Sequence, residues 1–232
     1  MVAIKGIIFD KDGTLFDFNA TWGCWTGGLI SEECGDDTVL QQALAAELAF
    51  DLQSQRFEKH SIVIASTAEE VADVILPYLP DATPSGLIDR MNDRAAKAPQ
   101  VEAAPLKTFL ADLKSRGFVL GVATNDSEMP ARAHLDQAGI SDQFDFIAGY
   151  DSGYGGKPAP GQLIGFCNHT GLAPAECIMV GDSTHDLMAG RAAGMRCVGV
   201  LTGLAEANEL APHADVVLPS IAELPEWIAA QG

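Results

Sequence analysis

Basic residues are scarce in this chain of 232 residues, which has 14 Lys and Arg against 32 Asp and Glu and a formal net charge of −18. No basic cluster occurs along it, which argues against nucleic acid and anionic membrane surfaces as partners. No apolar run approaches the roughly 20 residues that span a bilayer. We therefore expect no nucleic-acid or membrane partner, and an anionic ligand would depend on local cations.

Cysteine is also sparse, and its spacing indicates neither a disulfide framework nor a metal site. An odd number of cysteines, five, in a chain whose first residues lack a signal-peptide layout is typical of reduced, mostly buried thiols. We therefore expect a cytoplasmic location. A hydrophobic content of 47% at this length fits one large domain or a large and a small one.

Hydrophobic periodicity changes along the chain. Residues 4–9 are apolar except for Lys5, as expected for a central parallel strand that is covered on both faces. Between residues 18 and 97 the pattern is helical, with helices predicted over 41–52, 68–79 and 84–98 and a short strand as the alternative over 61–65. Residues 98–105, with their prolines and alanines, form a connector.

Helices and strands alternate after this connector. Strands are predicted over 118–123, 144–148, 177–180, 197–201 and 215–218, and helices over 106–116, 130–138, 162–170, 186–193 and at the end of the chain. This alternation predicts an α/β fold with a doubly wound, mostly parallel, Rossmann-type sheet. Residues 1–17 and 98–232 would form that core, and residues 18–97 a small inserted all-helical domain.

The sequence DKDGT at positions 10–14 follows the first predicted strand directly. Residues i and i+2 of an extended backbone project to one side, so the carboxylates of Asp10 and Asp12 repel unless a cation or proton lies between them. An ordinary polar turn is one interpretation. An EF-hand loop is excluded, because its glycine would be at loop position 4 rather than 6 (Gly13) and Thr21 would replace the glutamate at position 12. The third interpretation is an aspartyl nucleophile beside a second catalytic carboxylate.

Polar residues also follow other predicted strands, at the sheet edge where open parallel sheets bind ligands. They are Thr124, Asn125, Lys157, Asp182 and Asp186. Thr, Asn, Asp and Ser also cap helices, and capping is the favoured interpretation for Ser183 and Asp126.

Taken together, these residues indicate more than capping. Asp10, Asp12 and Asp182 would place three carboxylates around one point, which calls for a hard cation such as Mg²⁺. Thr124 and Asn125 add neutral donors. Lys157 adds one positive charge, and the glycine-rich loop that contains it does not have the spacing of a nucleotide-binding P-loop. Metal, nucleophile, donors and cation are the requirements of phosphoryl transfer. A two-component receiver domain has a similar residue set but is far shorter.

Four segments, in family order, resemble the motifs of the haloacid dehalogenase superfamily in its phosphatase branch with a helical cap. They read IIFDKDGTLFD, GVATND, GGKPAP and VGDSTHD, and the resemblance covers nearly the whole chain. An acid at position 12 disfavours dehalogenases and phosphonoacetaldehyde hydrolases and favours phosphate esters. The chain is most similar overall to phosphoglycolate phosphatase-like enzymes, which implies a small phosphorylated metabolite as partner.

The resemblance implies a role for each residue. Asp10 would attack phosphorus and form an aspartyl-phosphate, and Asp12 would protonate the leaving oxygen and then activate water. Thr124 and the Asn125 region would hold phosphate oxygens, while Lys157 would neutralise charge on the phosphoryl group and on Asp10.

The implied metal is Mg²⁺. Asp10, the main-chain carbonyl of Asp12 and Asp182 would hold it, with Asp186 in a supporting position. Lys11 stands where the family more often has an apolar or aromatic residue. Only its backbone is expected to matter, so we interpret it as variation.

The resemblance further implies that residues 18–97 form a cap, hinged near Asp17 and near residues 98–105. Trp22 and Trp25 are expected in the core of this cap. Four basic residues are candidate anchors for an acidic leaving group or, equally, part of a solvated helix face, namely Arg56, Lys59, Arg90 and Arg94.

Two other functions stay open at the level of sequence. The first is a sugar-phosphate mutase of the β-phosphoglucomutase kind, which shares the four motifs. The second is a non-catalytic phosphate-binding or regulatory module with the same fold. The sequence does not distinguish a monomer from a homodimer.

Overall fold

The chain forms one short buried strand and then leaves the sheet. In the computed structural model, which describes residues 2–231, strand β1 spans Gly6–Phe9. The insert, residues 18–97, then contains α1 (Phe18–Cys34), α2 (Thr38–Glu47), β2 (Phe50–Asp51), β3 (Arg56–Phe57), α3 (Ala68–Ile75) and α4 (Pro84–Ala95). It packs around its own hydrophobic cluster, which includes Trp25, Leu29, Leu44, Ile75 and Leu87.

The insert is helical as predicted, apart from one small hairpin. Strands β2 and β3 pair antiparallel over two residues each. The predicted helix 41–52 stops early because Ala49 has a φ of 46° and Phe50 turns into the interior to pair with Phe57. The short strand over 61–65 is wrong, since Ile62–Ile64 is a 3₁₀ turn.

The remaining elements alternate as the sequence predicts, with one short additional helix, α9 (Ala207–Leu210), that was not predicted. They are α5 (Leu106–Ser115), β4 (Val119–Ala123), α6 (Glu128–Ala138), β5 (Phe146–Ala148), α7 (Gly161–Thr170), β6 (Cys177–Gly181), α8 (Thr184–Ala193), β7 (Arg196–Val200), α9 (Ala207–Leu210), β8 (Val216–Leu218) and α10 (Leu224–Ala229). Gly139, Gly171 and Gly194 follow their helices in the left-handed conformation and end them.

The six core strands form one parallel sheet in the order β5-β4-β1-β6-β7-β8. β1 lies at its centre, with Ile7 and Phe9 in the hydrophobic cluster on one face and Ile8 in the cluster on the other. This double coverage explains the continuous apolar run. The order reverses direction between β1 and β6, which is where doubly wound sheets open a ligand crevice. The predicted fold class is confirmed.

In the described part of the chain, none of the helices combines the length and the apolar character needed to cross a bilayer.

A glycine–phenylalanine contact beneath the sheet gives a stability prediction. A Cβ at Gly121 would lie 2.6 Å from Cδ2 of the fully buried Phe166 ring. We expect Gly121→Ala to lower the free energy of unfolding by about 1–3 kcal/mol, because the packed ring must shift. Phe166→Leu removes the obstacle, so the double variant should lose less than the sum of the two single losses. Urea unfolding of all four proteins measures this, and additive losses would contradict it.

Candidate active site

The carboxyl ends of β1, β4 and β6 bring together residues that are far apart in the chain. β1 pairs with β4 on one side and β6 on the other, so the residues that follow them share one edge of the sheet. Asp10 follows β1, Thr124 follows β4 and Asp182 follows β6. All three line one cavity of about 700 Å³, a volume that includes its mouth.

Three buried carboxylates form the floor of this cavity. Oxygens of Asp10, Asp182 and Asp186 lie within 4.8 Å of one another, and these residues are only 7%, 6% and 1% exposed. Burial raises the pKa of Asp10 to about 7 against the opposing charge of Lys157. Burial and the charge of Asp10 also raise the pKa of Asp182. An all-oxygen cluster with unbalanced negative charge fits a hard divalent cation.

The Asp12 carboxylate is not part of this cluster. It lines the same cavity, but its oxygens pair with Lys11. Its implied metal contact is through the main-chain carbonyl and stays a prediction.

Two glycines leave room for Asp182. A Cβ at Gly203 would lie 1.7 Å from Asp182 Oδ2, and one at Gly13, where φ is +81°, would lie 2.4 Å from the same atom. Thr14 Oγ1 donates to Asp182 Oδ1 at 3.3 Å. The glycine of the DKDGT turn is therefore required by the packing of a carboxylate from another strand as well as by the bend.

Lys157 neutralises part of the cluster. Its Nζ lies 2.6 Å from Asp10 Oδ1 and 2.5 Å from Asp186 Oδ1. Burial opposes the charge of this lysine, but the attraction of Asp10 and Asp186 outweighs it and raises the pKa of Lys157 above its ordinary value. The sequence places Lys157 near the strand ends, and the structure puts it in contact with the expected nucleophile.

The side chain of Asn125 holds the Lys157 loop in place. Its Oδ1 accepts from Lys157 N at 2.7 Å, and its Nδ2 donates to Lys157 O at 2.9 Å and to Ala65 O of the insert at 2.8 Å. Because both amide hydrogens and the carbonyl oxygen are engaged, any phosphate contact from Asn125 would come from its main-chain N–H. Thr124 Oγ1 accepts from Asp126 N at 3.1 Å.

The predicted cap at Ser183 is confirmed, and it also orients Asp186. Ser183 Oγ accepts from Asp186 N, while Asp186 Oδ2 accepts from Ser183 N at 3.0 Å and from Ser183 Oγ at 2.7 Å. One carboxylate oxygen thus caps α8, and the other faces Lys157.

Two sequence interpretations near Asp12 are wrong. Lys11 was expected to contribute only its backbone, but its side chain is fully buried, with Nζ 2.7 Å and 2.6 Å from the two Asp12 oxygens. Asp126 was expected to cap a helix, but the N-cap residue of α6 is Ser127. One oxygen of Asp126 instead lies 3.4 Å from Lys11 Nζ, an ionic contact without hydrogen-bond geometry.

Sequence reasoning missed His134, which lies on α6 and is fully buried. Its Nδ1 lies 2.9 Å from Lys11 Nζ, and its Nε2 lies 2.6 Å from the Ala95 carbonyl at the end of α4. Burial first, and then the charge of Lys11, lower the pKa of His134 to about 4. No pattern around His134 indicates this contact, and the only sequence signal was a lysine between two acids.

The insert closes the cavity with an apolar surface, to which Phe18, Trp22, Trp25, Ile64, Val71 and Met91 contribute. Trp25 belongs to the core of the insert as expected, with its Nε1 donating to Met91 O at 3.0 Å. The half-buried Trp22 packs edge-on against it, with ring centroids 5.1 Å apart.

The four predicted basic anchors do not line this cavity. Lys59 pairs with Glu206 and Arg94 with Glu32, while Arg90 Nε lies 2.7 Å from Glu33 Oε1. Arg56 lies exposed in β3. Within residues 2–231, Lys157 is the only lysine or arginine in the cavity lining. The structure therefore gives no support to these residues as anchors in this cavity, and of the four only Arg90 is an exposed residue on a helix.

The comparisons with known proteins point to one family. A family model described as haloacid dehalogenase-like hydrolase matches residues 4–194. A phosphoglycolate phosphatase of Yersinia pestis is 30% identical over 96% of this chain and 92% of its own length.

Two solved structures have the same fold. One, described as a predicted phosphoglycolate phosphatase of Haemophilus somnus, matches with a TM-score of 0.74 at 19% identity over 98% of this chain and 99% of its own. The other, CbbY of Rhodobacter sphaeroides in complex with phosphate, matches with a TM-score of 0.71 at 21% identity over 95% and 96%.

The carboxylate cluster gives a prediction that links metal to stability. The folded-state pKa of Asp10, about 7, exceeds its ordinary value of 3.8. In the metal-free protein, the contribution of Asp10 to the free energy of unfolding is therefore fully present below pH 3.8 and is lost as the pH rises through 7. A bound cation would offset the negative charge of the ionised Asp10 and so restore this stability. We expect Mg²⁺ to raise the thermal unfolding midpoint, with a gain that grows from pH 5.5 to pH 8, and free Mg²⁺ at 100 times its dissociation constant adds about 2.7 kcal/mol.

Calorimetry with and without Mg²⁺ measures this gain. Asp182→Asn should abolish it, whereas Asp89→Asn, at an exposed aspartate of α4, should keep it. An equal Mg²⁺ gain in all three proteins would show that the cluster does not bind the metal.

Proposed function

The chain belongs to the haloacid dehalogenase-like hydrolase family, and we propose that it is a Mg²⁺-dependent phosphatase that hydrolyses a small phosphomonoester through an aspartyl-phosphate. One observation carries the proposal: the Asp10 carboxylate lies in a buried acidic cluster with Lys157 Nζ 2.6 Å from its Oδ1. A nucleophile, a cation and a metal-type donor set around one point are the requirements of phosphoryl transfer.

Asp10 supplies the nucleophile in this proposal. The contact with Lys157 fixes one oxygen of Asp10 and places a positive charge where the phosphoryl oxygens would approach. The hydroxyl of Thr124 and the main-chain N–H of Asn125, at the end of the neighbouring strand β4, would bind those oxygens as well. Attack would form the phosphoryl–Asp10 bond and break the ester bond.

Asp12 carries the proton in both half-reactions. It would donate to the leaving oxygen and then remove a proton from the water that hydrolyses the aspartyl-phosphate. Its carboxylate faces the same cavity and pairs with Lys11. The proton-transfer group and the nucleophile therefore have different cationic partners, Lys11 and Lys157.

Mg²⁺ would be held by the carboxylates of Asp10 and Asp182 and the main-chain carbonyl of Asp12, with Asp186 in support. When bound, it would offset charge on the phosphoryl group. Gly13 and Gly203 serve this site by leaving space for Asp182.

The insert acts as the cap in this proposal. Its apolar surface, with Trp22 and Ile64, covers the cavity above Asp10 and would exclude bulk water during phosphoryl transfer. The hydrogen bond from Asn125 to Ala65 O ties the insert to the lysine loop. A cytoplasmic location and a small phosphorylated metabolite as substrate belong to the same proposal.

2-Phosphoglycolate is the first substrate to test, because relatives that match nearly the full chain bear the name phosphoglycolate phosphatase. The screen also needs phosphomonoesters with uncharged or aromatic leaving groups, since Lys157 is the only Lys or Arg that lines the cavity within residues 2–231. Both kinds of ester fit the proposed reaction.

The decisive variant is Asp10→Asn, which keeps the shape of the side chain but removes the nucleophile. We expect Mg²⁺-dependent phosphate release to fall to background, whereas Asp12→Asn should lower kcat by about 10²–10⁴-fold. Asp89→Asn, on the exposed face of α4, serves as the control and should match the wild type. Turnover by Asp10→Asn at the wild-type rate would refute the aspartyl-phosphate mechanism.

A hexose phosphate in the same screen separates the other functions. A mutase would return an isomer, a phosphatase would return inorganic phosphate, and a non-catalytic module would return neither with any ester.

A further inference from the structure

Lys11 carries a positive charge into the protein interior between Asp10 and Asp12. Its side chain is fully buried, and removing an ammonium group from water costs several kcal/mol unless good partners replace the water. Nζ finds them in both oxygens of Asp12, at 2.7 Å and 2.6 Å, and in Nδ1 of His134, at 2.9 Å. A third carboxylate oxygen, Asp126 Oδ2, lies 3.4 Å away. A lysine that served only as an apolar filler would not need this set of acceptors.

Asp12 depends on this contact for its orientation. Across residues 2–231, Lys11 is the only side chain that donates a hydrogen bond to the Asp12 carboxylate. The Asp12 side chain is 10% exposed and faces the cavity. An ammonium group that contacts both oxygens limits the rotation of the carboxylate, which would otherwise be free to turn within the cavity.

His134 contacts the same ammonium group. The Ala95 carbonyl can only accept a hydrogen bond, so His134 Nε2, 2.6 Å away, carries the ring hydrogen. Nδ1 therefore presents its lone pair to Lys11 Nζ, which can only donate. The lowered pKa of His134, about 4, agrees with a neutral ring. The ring of Trp22 lies 5.6 Å from the same Nζ.

We propose that Lys11 is a positioning residue that holds the Asp12 carboxylate in place for proton transfer, and that His134 in turn holds Lys11 through Nδ1. The inference rests on the proposed phosphatase function, in which Asp12 protonates the leaving oxygen. Because Ala95 and Trp22 belong to the insert, part of the support for this pair comes from the insert.

Leaving-group dependence is the readout that a merely structural role would not change. The kcat/KM value covers the steps up to transfer of the phosphoryl group to Asp10. An alkyl phosphate needs a proton on its leaving oxygen, whereas p-nitrophenolate leaves readily as an anion. Loss of a correctly placed acid should therefore slow the alkyl ester selectively.

The main test compares Lys11→Met with the wild type on p-nitrophenyl phosphate and on the alkyl phosphate that the wild type hydrolyses best. We expect kcat/KM to fall about 10–100-fold for the alkyl ester, a part of the 10²–10⁴-fold that general acid–base catalysis supplies, and less than about threefold for the aryl ester. Lys5→Met, at a lysine whose side chain is 57% exposed, should leave both values unchanged.

A matched pair at His134 tests the second part. Asn places its amide near the position of Nδ1 and can still accept from Lys11, whereas Gln places its amide near Nε2 and keeps only the contact with Ala95. We expect His134→Gln to show the selective loss and His134→Asn to stay closer to the wild type. Equal effects of the two variants would overturn the role of His134.

The remaining outcomes also decide the matter. Equal losses on both esters, or no loss on either, in a Lys11→Met protein that is folded by circular dichroism would overturn the positioning role. If Lys11→Met does not fold, the same ratio measured in His134→Gln decides. A wild type that releases no phosphate from any ester would refute the proposed function, and this inference with it, whereas an active wild type with an unchanged ratio refutes this inference alone.

Discussion

The contact of Lys157 with Asp10 and Asp186 is the interaction on which the rest of the site depends. Three carboxylates within 4.8 Å at the centre of a buried sheet edge repel one another. Within residues 2–231, Lys157 is the one lysine or arginine that forms an ion pair with any of them. The surrounding structure serves this arrangement: Asn125 fixes the lysine loop, Ser183 orients Asp186, and glycines leave space for Asp182. The charge that one lysine cannot balance is what makes the cluster suited to a divalent cation.

A second buried lysine divides the acids of the DKDGT turn between two environments. Asp10 faces Lys157 and the carboxylate cluster, whereas Asp12 faces Lys11 and, beyond it, His134. Two neighbouring carboxylates with the same ordinary pKa can serve different chemistry only if their surroundings differ. In this fold the difference comes from separate elements, since Lys157 lies in the loop after β5 and His134 lies on α6.

Most of the fold could be predicted from the sequence, because apolar periodicity reflects which faces are buried. The parallel core strands and the helical insert follow from local patterns. The errors lie where a distant partner overrides the local preference. The helix over 41–52 gives way to a hairpin because Phe50 pairs with Phe57, and Asp126 leaves its expected helix cap for the vicinity of Lys11. Three basic residues of the insert, predicted as candidate anchors, likewise pair with acidic residues that only the fold brings near them.

The sequence by itself determined the family and indicated phosphoryl transfer, because the acids, threonine and lysine that such chemistry requires are fixed residue types at the ends of recognisable strands. Only the tertiary structure decided which lysine pairs with which carboxylate, that an apolar surface of the insert lines the cavity, and that Lys11 is buried. The reason is physical, because the electrostatic energy of a charged side chain depends on its burial and on partners within a few ångströms. The partner of Lys11 on α6 is 123 residues away along the chain. The DKDGT turn specifies two acids, and the fold around it gives each its own environment.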